Sequence, residues 1–87
     1  MSWNVEVGDR ARRDYLALPA DVRERIEQAI DDLRENPRPP GVKRLVGKHG
    51  YRIRKGDCRV LYAIDDAKRI VRVYAVGHRR DVYRSLR

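Results

Sequence analysis

Hydrophobic and polar residues alternate with two different periods in the first part of the chain. Over residues 3–7 every second side chain is apolar, which is typical of a short half-buried strand, and Gly8 ends this pattern. From Asp9 the apolar side chains recur at helical spacing, and Pro19 is expected to stop the run. The pattern therefore predicts a strand followed directly by a first helix, with Asp9 as its capping residue.

A second and longer helix is predicted after Pro19. Asp21 and Glu24 have the spacing of a capping box, in which each side chain accepts a hydrogen bond from a backbone N–H at the start of a helix. The helix is expected to end at Asn36, because the Pro-rich segment 37–41 cannot continue it. Apolar residues at helical spacing form a stripe that would face a core: Val22, Ile26, Ala29, Ile30 and Leu33.

Three β-like segments make up most of the second half of the chain. Residues 51–54 alternate apolar residues with Arg, residues 58–64 are rich in β-forming residues, and residues 69–76 alternate again. The connections at residues 55–57 and 65–68 are short enough for hairpins. We therefore expect these segments to form an antiparallel meander.

The order of the elements predicts an α+β fold in a single domain over residues 1–87. Two N-terminal helices would pack on one face of a mainly antiparallel four-stranded sheet, in the order β-α-α-β-β-β, followed by a short C-terminal helix near Arg79 to Leu86. The other face of the sheet would then be open, and side chains on that face could form a site.

Charge is distributed unevenly along the 87 residues, whose formal net charge is +8. Residues 1–36 carry six Lys or Arg and nine Asp or Glu, whereas residues 37–87 carry fifteen and four, so the positive surplus belongs to the second part. Arg supplies seventeen of the 21 basic residues, and its planar fork of donors suits phosphate and carboxylate. This composition favours a surface that binds a polyanion over a solvated basic face without a ligand.

Several other classes of protein are disfavoured by what the sequence lacks. No apolar run approaches the roughly 20 residues of a membrane span, and residues 1–6 do not resemble a signal peptide, so a cytoplasmic protein is expected. Cys58 is the one cysteine and cannot form an internal disulfide. Together with only His49 and His78 it provides no zinc-binding set, and neither a metal nor a cofactor is expected.

Three arginines are expected to share the open face of the predicted sheet. Arg52 and Arg54 alternate with the apolar residues of their strand, and Arg59 has the matching parity on the next strand. Like charges at such positions cost about 0.2–1 kcal/mol for each opposed pair, a cost that is easiest to explain if an anion normally occupies the face. The arginines could instead be solvated, or paired with Asp and Glu from the N-terminal part.

Three stretches of the sequence resemble the RelE branch of the RelE/ParE toxins of bacterial and archaeal toxin–antitoxin systems. They are LRENP at the end of the helical half, the hairpin YRIRKGDCRVLY at residues 51–62, and GHRRDVY at residues 77–83. The resemblance implies a metal-independent endoribonuclease that cleaves mRNA in the ribosomal A site and inhibits translation, held inactive in a hetero-oligomer with a cognate antitoxin. In that reaction a ribose 2′-OH attacks the adjacent phosphate, and Arg is suited to stabilise the developing negative charge.

The resemblance also assigns catalytic roles to individual residues. Arg59 matches the phosphate-stabilising arginine in the strand before VLY. Arg79 matches the arginine two residues after the glycine that ends the last strand, and Arg80 stands in tandem with it, as a substitute or as a contact to substrate. Tyr83 matches a tyrosine that stacks on a base and orients the reacting nucleotide. The alternative for Tyr83 is a helix residue that packs on the core.

Arg52 and Arg54 belong to the predicted catalytic set but depart from the family pattern, because well-known active members have lysines at these two positions. Arginine stays protonated near neutral pH and makes a poor general base, whereas base catalysis typically contributes about 10²- to 10⁴-fold. We therefore predict either a weaker nuclease that relies on charge stabilisation or a base recruited from elsewhere. His78 is an acid or base candidate, and His78 and Lys55 are both expected to contact the substrate.

Two other functions fit parts of the sequence. A ParE-like toxin that binds DNA gyrase without nuclease activity would share the fold, although chains of that type usually lack the full set of basic and aromatic positions. A passive basic RNA-binding module would bind the backbone without cutting it, and the two arginines in place of lysines are compatible with such a module.

Overall fold

Five strands and two helices make up the structure, a computed structural model that describes residues 3–45 and 50–78. Along the chain they are β1 (Asn4–Val7), α1 (Asp9–Leu16), α2 (Ala20–Glu35), β2 (Lys43–Arg44), β3 (Tyr51–Lys55), β4 (Cys58–Asp65) and β5 (Ile70–His78). The strands form one sheet in the order β1-β5-β4-β3-β2, in which β1 runs parallel to β5 and the other neighbours are antiparallel. The predicted α+β class and mainly antiparallel sheet are therefore confirmed. Neither α1 nor α2, the helices of the described residues, is long and apolar enough to cross a membrane.

The predicted count of four strands is wrong, because β2 forms a fifth strand at the sheet edge beside β3. Its two residues, Lys43 and Arg44, pair with Arg52 and Tyr51. A strand of two residues is too short to show period-two alternation, so only its partner strand reveals it. The predicted C-terminal helix near Arg79 to Leu86 lies outside the described residues.

Both helices begin without the side-chain caps that the sequence predicts. Gly8 occupies the N-cap position of α1, and Asp9 is already the first helical residue. Pro19 occupies the N-cap position of α2, so Asp21 lies inside the first turn and makes no capping bond. The two aspartates still stabilise their helices, because a carboxylate in the first turn interacts favourably with the helix dipole.

The core lies between the two helices and one face of the sheet, as the apolar stripe of α2 predicts. The stripe residues Ile26 and Leu33 are fully buried, and each such side chain stabilises the fold by roughly 1.5–3 kcal/mol. Cys58 is also buried, and this burial raises the pKa of its thiol, so it acts as a small protonated core residue. The strands contribute most of the remaining core side chains: Ile53, Val60, Tyr62, Val71, Val73 and Val76.

Polar contacts fasten the connection between α2 and β2 to the sheet. The Tyr62 hydroxyl donates a 2.6 Å hydrogen bond to the carbonyl oxygen of Pro37. Arg38 donates two hydrogen bonds of 3.0 Å to the Asp66 carboxylate, and its guanidinium lies 5.3 Å from the centre of the Tyr51 ring. The hydrogen bonds from Arg38 hold the pKa of the Asp66 carboxyl below its ordinary value. These contacts fix the path by which the chain approaches β2.

A β-bulge in β5 decides which of its residues face the helices. The register between β4 and β5 shifts between Leu61 and Tyr62, and Tyr74 is the extra residue on β5. The alternation therefore reverses beyond the bulge, so that Val76 lies in the core and Gly77 lies on the opposite face. The sequence predicts alternation along the whole of this strand, and that prediction is wrong at the bulge.

Candidate nucleic-acid interface

Four basic residues occupy one end of the sheet face that lies opposite the helices, which we call the far face. Arg54 on β3 is directly opposite Arg59 on β4. Lys43 on β2 is directly opposite Arg52 on β3. The residues that flank Arg59 are buried in the helix-covered core, so the alternation of side chains places all four on the far face. The shared face predicted for the three arginines is confirmed by this register, and we call the four residues the cationic zone.

The acidic residues of the far face lie at its other end. Glu6 accepts a hydrogen bond of 3.2 Å from Arg72, and an Asp65 oxygen lies 3.9 Å from the same guanidinium group. Glu6 and Asp65 are the acidic residues among the five described strands. The far face therefore has one end where opposite charges are paired and one end where the strands contribute only cations.

The members of the cationic zone differ in their exposure to solvent. Arg59 and Arg52 are half-buried, and the Nε and Nη1 atoms of Arg59 are shielded from solvent. Arg54 and Lys43 are exposed. Charge interactions are stronger where water is excluded, so Arg59 is the member best placed to stabilise charge on a bound phosphate. The exposed members are placed to make the first contact with a polyanion.

The bulge in β5 also sets the surroundings of Arg59. Gly77 is directly opposite Arg59, so β5 places no side chain beside that residue on the far face. His78 is opposite Cys58, whose side chain is in the core, and His78 Nε2 lies 3.8 Å from an oxygen of Asp57. His78 therefore lies at a helix-side position of the sheet and is not brought together with the cationic zone.

Lys55 also lies on the helix side of the sheet. Its Nζ atom donates a 3.0 Å hydrogen bond to Asp32 of α2 and so ties the tip of the hairpin to the helix. An exposed ion pair of this kind contributes about 0–1 kcal/mol, and the predicted contact of Lys55 with substrate would require the pair to open. The other predicted site residues lie outside the described residues: Arg79, Arg80 and Tyr83.

Lys43 is the member of the cationic zone that the sequence alone does not reveal. The Leu45 N–H donates a 2.7 Å hydrogen bond to the carbonyl of Gly50, which ties the end of β2 to the start of β3. Gly50 has a φ of +81°, and a Cβ atom there would overlap the backbone of Tyr62. A glycine directly before a β-like segment is a signal for such a connection, but it does not specify the register that aligns Lys43 with Arg52.

The arrangement suits the phosphates of a single nucleic-acid strand. Guanidinium groups bind phosphate through two parallel hydrogen bonds, and a positively charged groove that follows the backbone is typical of proteins that bind single strands. In the part of the chain that the structure describes, no group of three or more His, Cys, Asp or Glu side chains could hold a metal ion.

A groove of about 530 Å³ on the helix side is a separate feature. Its lining balances two basic residues against two acidic ones, so it offers no surplus charge to a polyanion. Tyr15 donates a hydrogen bond to Glu27 inside it, which raises the pKa of Tyr15. The groove is lined by Val7, Arg12, Tyr15, Glu27, Ile30, Asp31, Arg34 and Val76.

Comparisons with known proteins agree with this fold over nearly the whole chain. Residues 5–83 match the family described as ParE toxin of type II toxin–antitoxin system, parDE. Over 88 residues the chain is 35% identical to toxin RelG of Mycobacterium tuberculosis, and the match covers 97% of this chain and 99% of that protein.

Two solved structures of toxin–antitoxin complexes contain a similar chain. In the RelBE2 complex from Mycobacterium tuberculosis the TM-score is 0.79 at 32% identity, with 91% of this chain and 100% of the matched chain covered. In the archaeal RelE–RelB complex from Pyrococcus horikoshii the TM-score is 0.77 at 25% identity, with 91% and 97% covered. The sheet and helices described above are therefore shared with these toxins.

Proposed function

The chain belongs to the ParE toxin family of type II toxin–antitoxin systems, and we propose that it is an endoribonuclease toxin of the RelE type. Its substrate is mRNA in the ribosomal A site, and cleavage there inhibits translation. The observation that carries this proposal is the cationic zone, whose four basic residues lie together on the far face while the acidic residues of that face lie at its other end.

An RNA strand would bind with successive phosphates over the cationic zone. Residues directly opposite each other in an antiparallel sheet have Cα atoms about 4.5–5.5 Å apart. Arg54 and Arg59 can therefore contact one phosphate together, and Arg52 can contact a neighbouring one. Binding of these anions would offset the repulsion between the like charges.

In the proposed reaction the 2′ oxygen forms a bond to the adjacent phosphorus, and the bond from phosphorus to the 5′ oxygen breaks. Negative charge develops on the non-bridging oxygens as the one bond forms and the other breaks. Arg59 stabilises that charge, because it is permanently protonated and half-buried. Arg52 and Arg54 add to the positive field but cannot accept the 2′-OH proton, since arginine stays protonated. The ribosome then supplies the geometry of attack, and the protein is a weaker nuclease than one with a lysine base.

A ParE-like toxin that binds DNA gyrase is the second candidate, because the matched family is described by the parDE system. The RelE-type names of the similar proteins and the cationic zone support the nuclease instead. A gyrase-binding toxin would leave mRNA intact, so the two candidates differ in which nucleic acid is damaged.

A cognate antitoxin and a hetero-oligomer with it are part of the proposal. The two similar solved structures described above are complexes of a toxin with an antitoxin. An antitoxin segment with acidic side chains would neutralise the cationic zone. It could instead displace the predicted C-terminal helix that carries Tyr83, and either arrangement would block the approach of RNA.

Purified protein mixed with ribosomes that carry a defined mRNA tests the nuclease proposal. Replacement of Arg59 by Ala is expected to slow cleavage by about 10²- to 10³-fold, the cost of losing one charge-stabilising donor. Arg44→Ala is the matched control, because Arg44 pairs with core-side Tyr51 and lies off the far face. An Arg59→Ala protein that is folded and cleaves at the parent rate would remove Arg59 from the mechanism.

A further inference from the structure

The proposed reaction needs a proton donor as well as stabilising charge. When the bond between phosphorus and the 5′ oxygen breaks, the electron pair stays on that oxygen, which must then be protonated. Arg52, Arg54 and Arg59 stabilise charge but retain their protons near neutral pH. A lysine ammonium releases a proton at least about 100-fold more readily than a guanidinium. We propose that Lys43 is a further catalytic residue, the general acid for the leaving 5′ oxygen, an assignment that rests on the proposed function.

The register of β2 places Lys43 within reach of a phosphate held by Arg59. Lys43 is opposite Arg52, and Arg59 lies one strand further and two residues along. With strands about 4.8 Å apart and a rise of about 3.4 Å per residue, the Cα atoms of Lys43 and Arg59 are roughly 12 Å apart. The long side chains of Lys and Arg can meet across this gap from its two ends, so both can contact one phosphate group bound between them.

Among the described residues, the other lysines and His78 lie elsewhere. Lys55 is paired with Asp32 on the helix side, and Lys68 lies in the turn between β4 and β5, beyond the acidic end of the far face. His78 lies on the helix side near Asp57. Lys43 is exposed, and within the described ranges no carboxylate lies within ion-pair distance of it.

The proton transfers balance in a single displacement. The 2′ oxygen bonds to phosphorus and gives its proton to water, while the 5′ oxygen leaves with the electron pair of the broken bond. Lys43 Nζ gives one proton to the 5′ oxygen, so the products are a 2′,3′-cyclic phosphate and a 5′-hydroxyl. The neutral amine then recovers a proton from the solvent, and the ammonium is restored for the next cycle.

Two substitutions separate proton donation from charge. Lys43→Arg keeps the positive charge but removes the readily transferred proton, whereas Lys43→Gln removes both. On ribosomes that carry a defined mRNA, Lys43→Arg is expected to bind like the parent protein but to cleave about 10²- to 10⁴-fold more slowly. Lys68→Arg is the matched control, and its cleavage rate is expected to equal that of the parent. Cleavage by Lys43→Arg at the parent rate would overturn the assignment and leave Lys43 as a charge only.

A substrate with sulfur in place of the 5′ bridging oxygen gives a second readout. A thiolate leaves without protonation, so Lys43→Arg and the parent protein should cleave this RNA at similar rates. A defect of Lys43→Arg that persists on the sulfur substrate would overturn the assignment, because it would point to misplaced substrate. If the parent protein cleaves neither RNA, the proposed function fails together with the assignment, and this outcome is distinct from the failure of Lys43 alone.

Discussion

Arg54 and Arg59 lie directly opposite each other on the neighbouring strands β3 and β4. Arginine side chains stay charged, so the two residues place like charges side by side. An opposed pair of like charges destabilises a sheet by about 0.2–1 kcal/mol. This cost is small beside the stabilisation from core residues such as Ile26 and Leu33, which are fully buried. The sheet can therefore carry a face that is suited to a bound anion.

Arg54 occupies a position where a lysine could act as a base, and this leads to a prediction. Arg54→Lys is expected to raise the rate of mRNA cleavage on ribosomes, because a lysine amine beside Arg59 can accept the 2′-OH proton and an arginine cannot. A gain of about tenfold or more would be measured by single-turnover cleavage across a range of pH. An unchanged rate would mean that residue 54 contributes charge alone.

The residues of the site were predictable to the extent that they obey the alternation of a single strand. Arg52, Arg54 and Arg59 could be placed on one face because each lies in a segment with a clear period of two. The alignment of Lys43 with Arg52 could not, because hydrogen bonds to a partner strand determine it. The helix-side position of His78 depends on a bulge that appears only when β5 is paired with β4.

At the scale of the elements, the two helices and the strands of the hairpin could be predicted from periodicity, while their exact ends could not. The prediction of a capping box at Asp21 was wrong, because Pro19 occupies the N-cap position and its fixed φ suits the start of a helix. Strand β2, which the sequence did not predict, has only two residues and therefore no alternation of its own. Local sequence therefore predicts elements that bury a long face, and tertiary pairing determines short edge elements.

The close approach of Gly50 to the backbone of Tyr62 leads to a prediction about stability. Gly50→Ala is expected to destabilise the protein strongly, because its Cβ would overlap the backbone of Tyr62 in addition to the strained positive φ. Gly41 has a φ of +88°, and no atom lies within 4 Å of the position that a Cβ would take there, so Gly41→Ala should cost only about 1–2 kcal/mol. Urea unfolding should show a further loss of about 1–3 kcal/mol for Gly50→Ala. Equal losses for the two variants would contradict the close approach.

The hydrogen bond from the Tyr62 hydroxyl to the carbonyl of Pro37 leads to a prediction about pH. Burial raises the pKa of Tyr62 above its ordinary value of 10.0. The unfolded chain therefore loses the Tyr62 proton first, so stability is present below about pH 10 and falls as the pH rises above it. Tyr62→Phe should lower stability at pH 7 by about 1–3 kcal/mol, because the buried carbonyl of Pro37 loses its donor.

The same variant should also flatten the alkaline decline. Urea unfolding at pH 8 and pH 11 would measure the loss of stability for the parent protein and for Tyr62→Phe. Since Phe does not ionise, the loss between the two pH values should be smaller in the variant. An equal loss in both proteins would mean that Tyr62 ionises as readily in the folded protein as in the unfolded chain.

At the scale of the whole molecule, the uneven distribution of charge along the chain becomes a difference between two faces. The two helices that cover one face of the sheet together carry eight acidic and six basic residues. The cationic zone lies on the opposite face. A molecule with this arrangement is attracted to a polyanion with the far face forward, and the attraction weakens as salt rises. The net charge of +8 is therefore concentrated on one face of the sheet, where it can attract a polyanion.

Mapping of RNA 5′ ends after the protein is produced in cells without an antitoxin tests the central claim most directly. We expect new ends inside ribosome-occupied codons, and we expect them to decrease sharply when Arg59→Ala is produced at the same level. Intact mRNA together with accumulated gyrase–DNA cleavage complexes would contradict the nuclease and identify a gyrase-binding toxin.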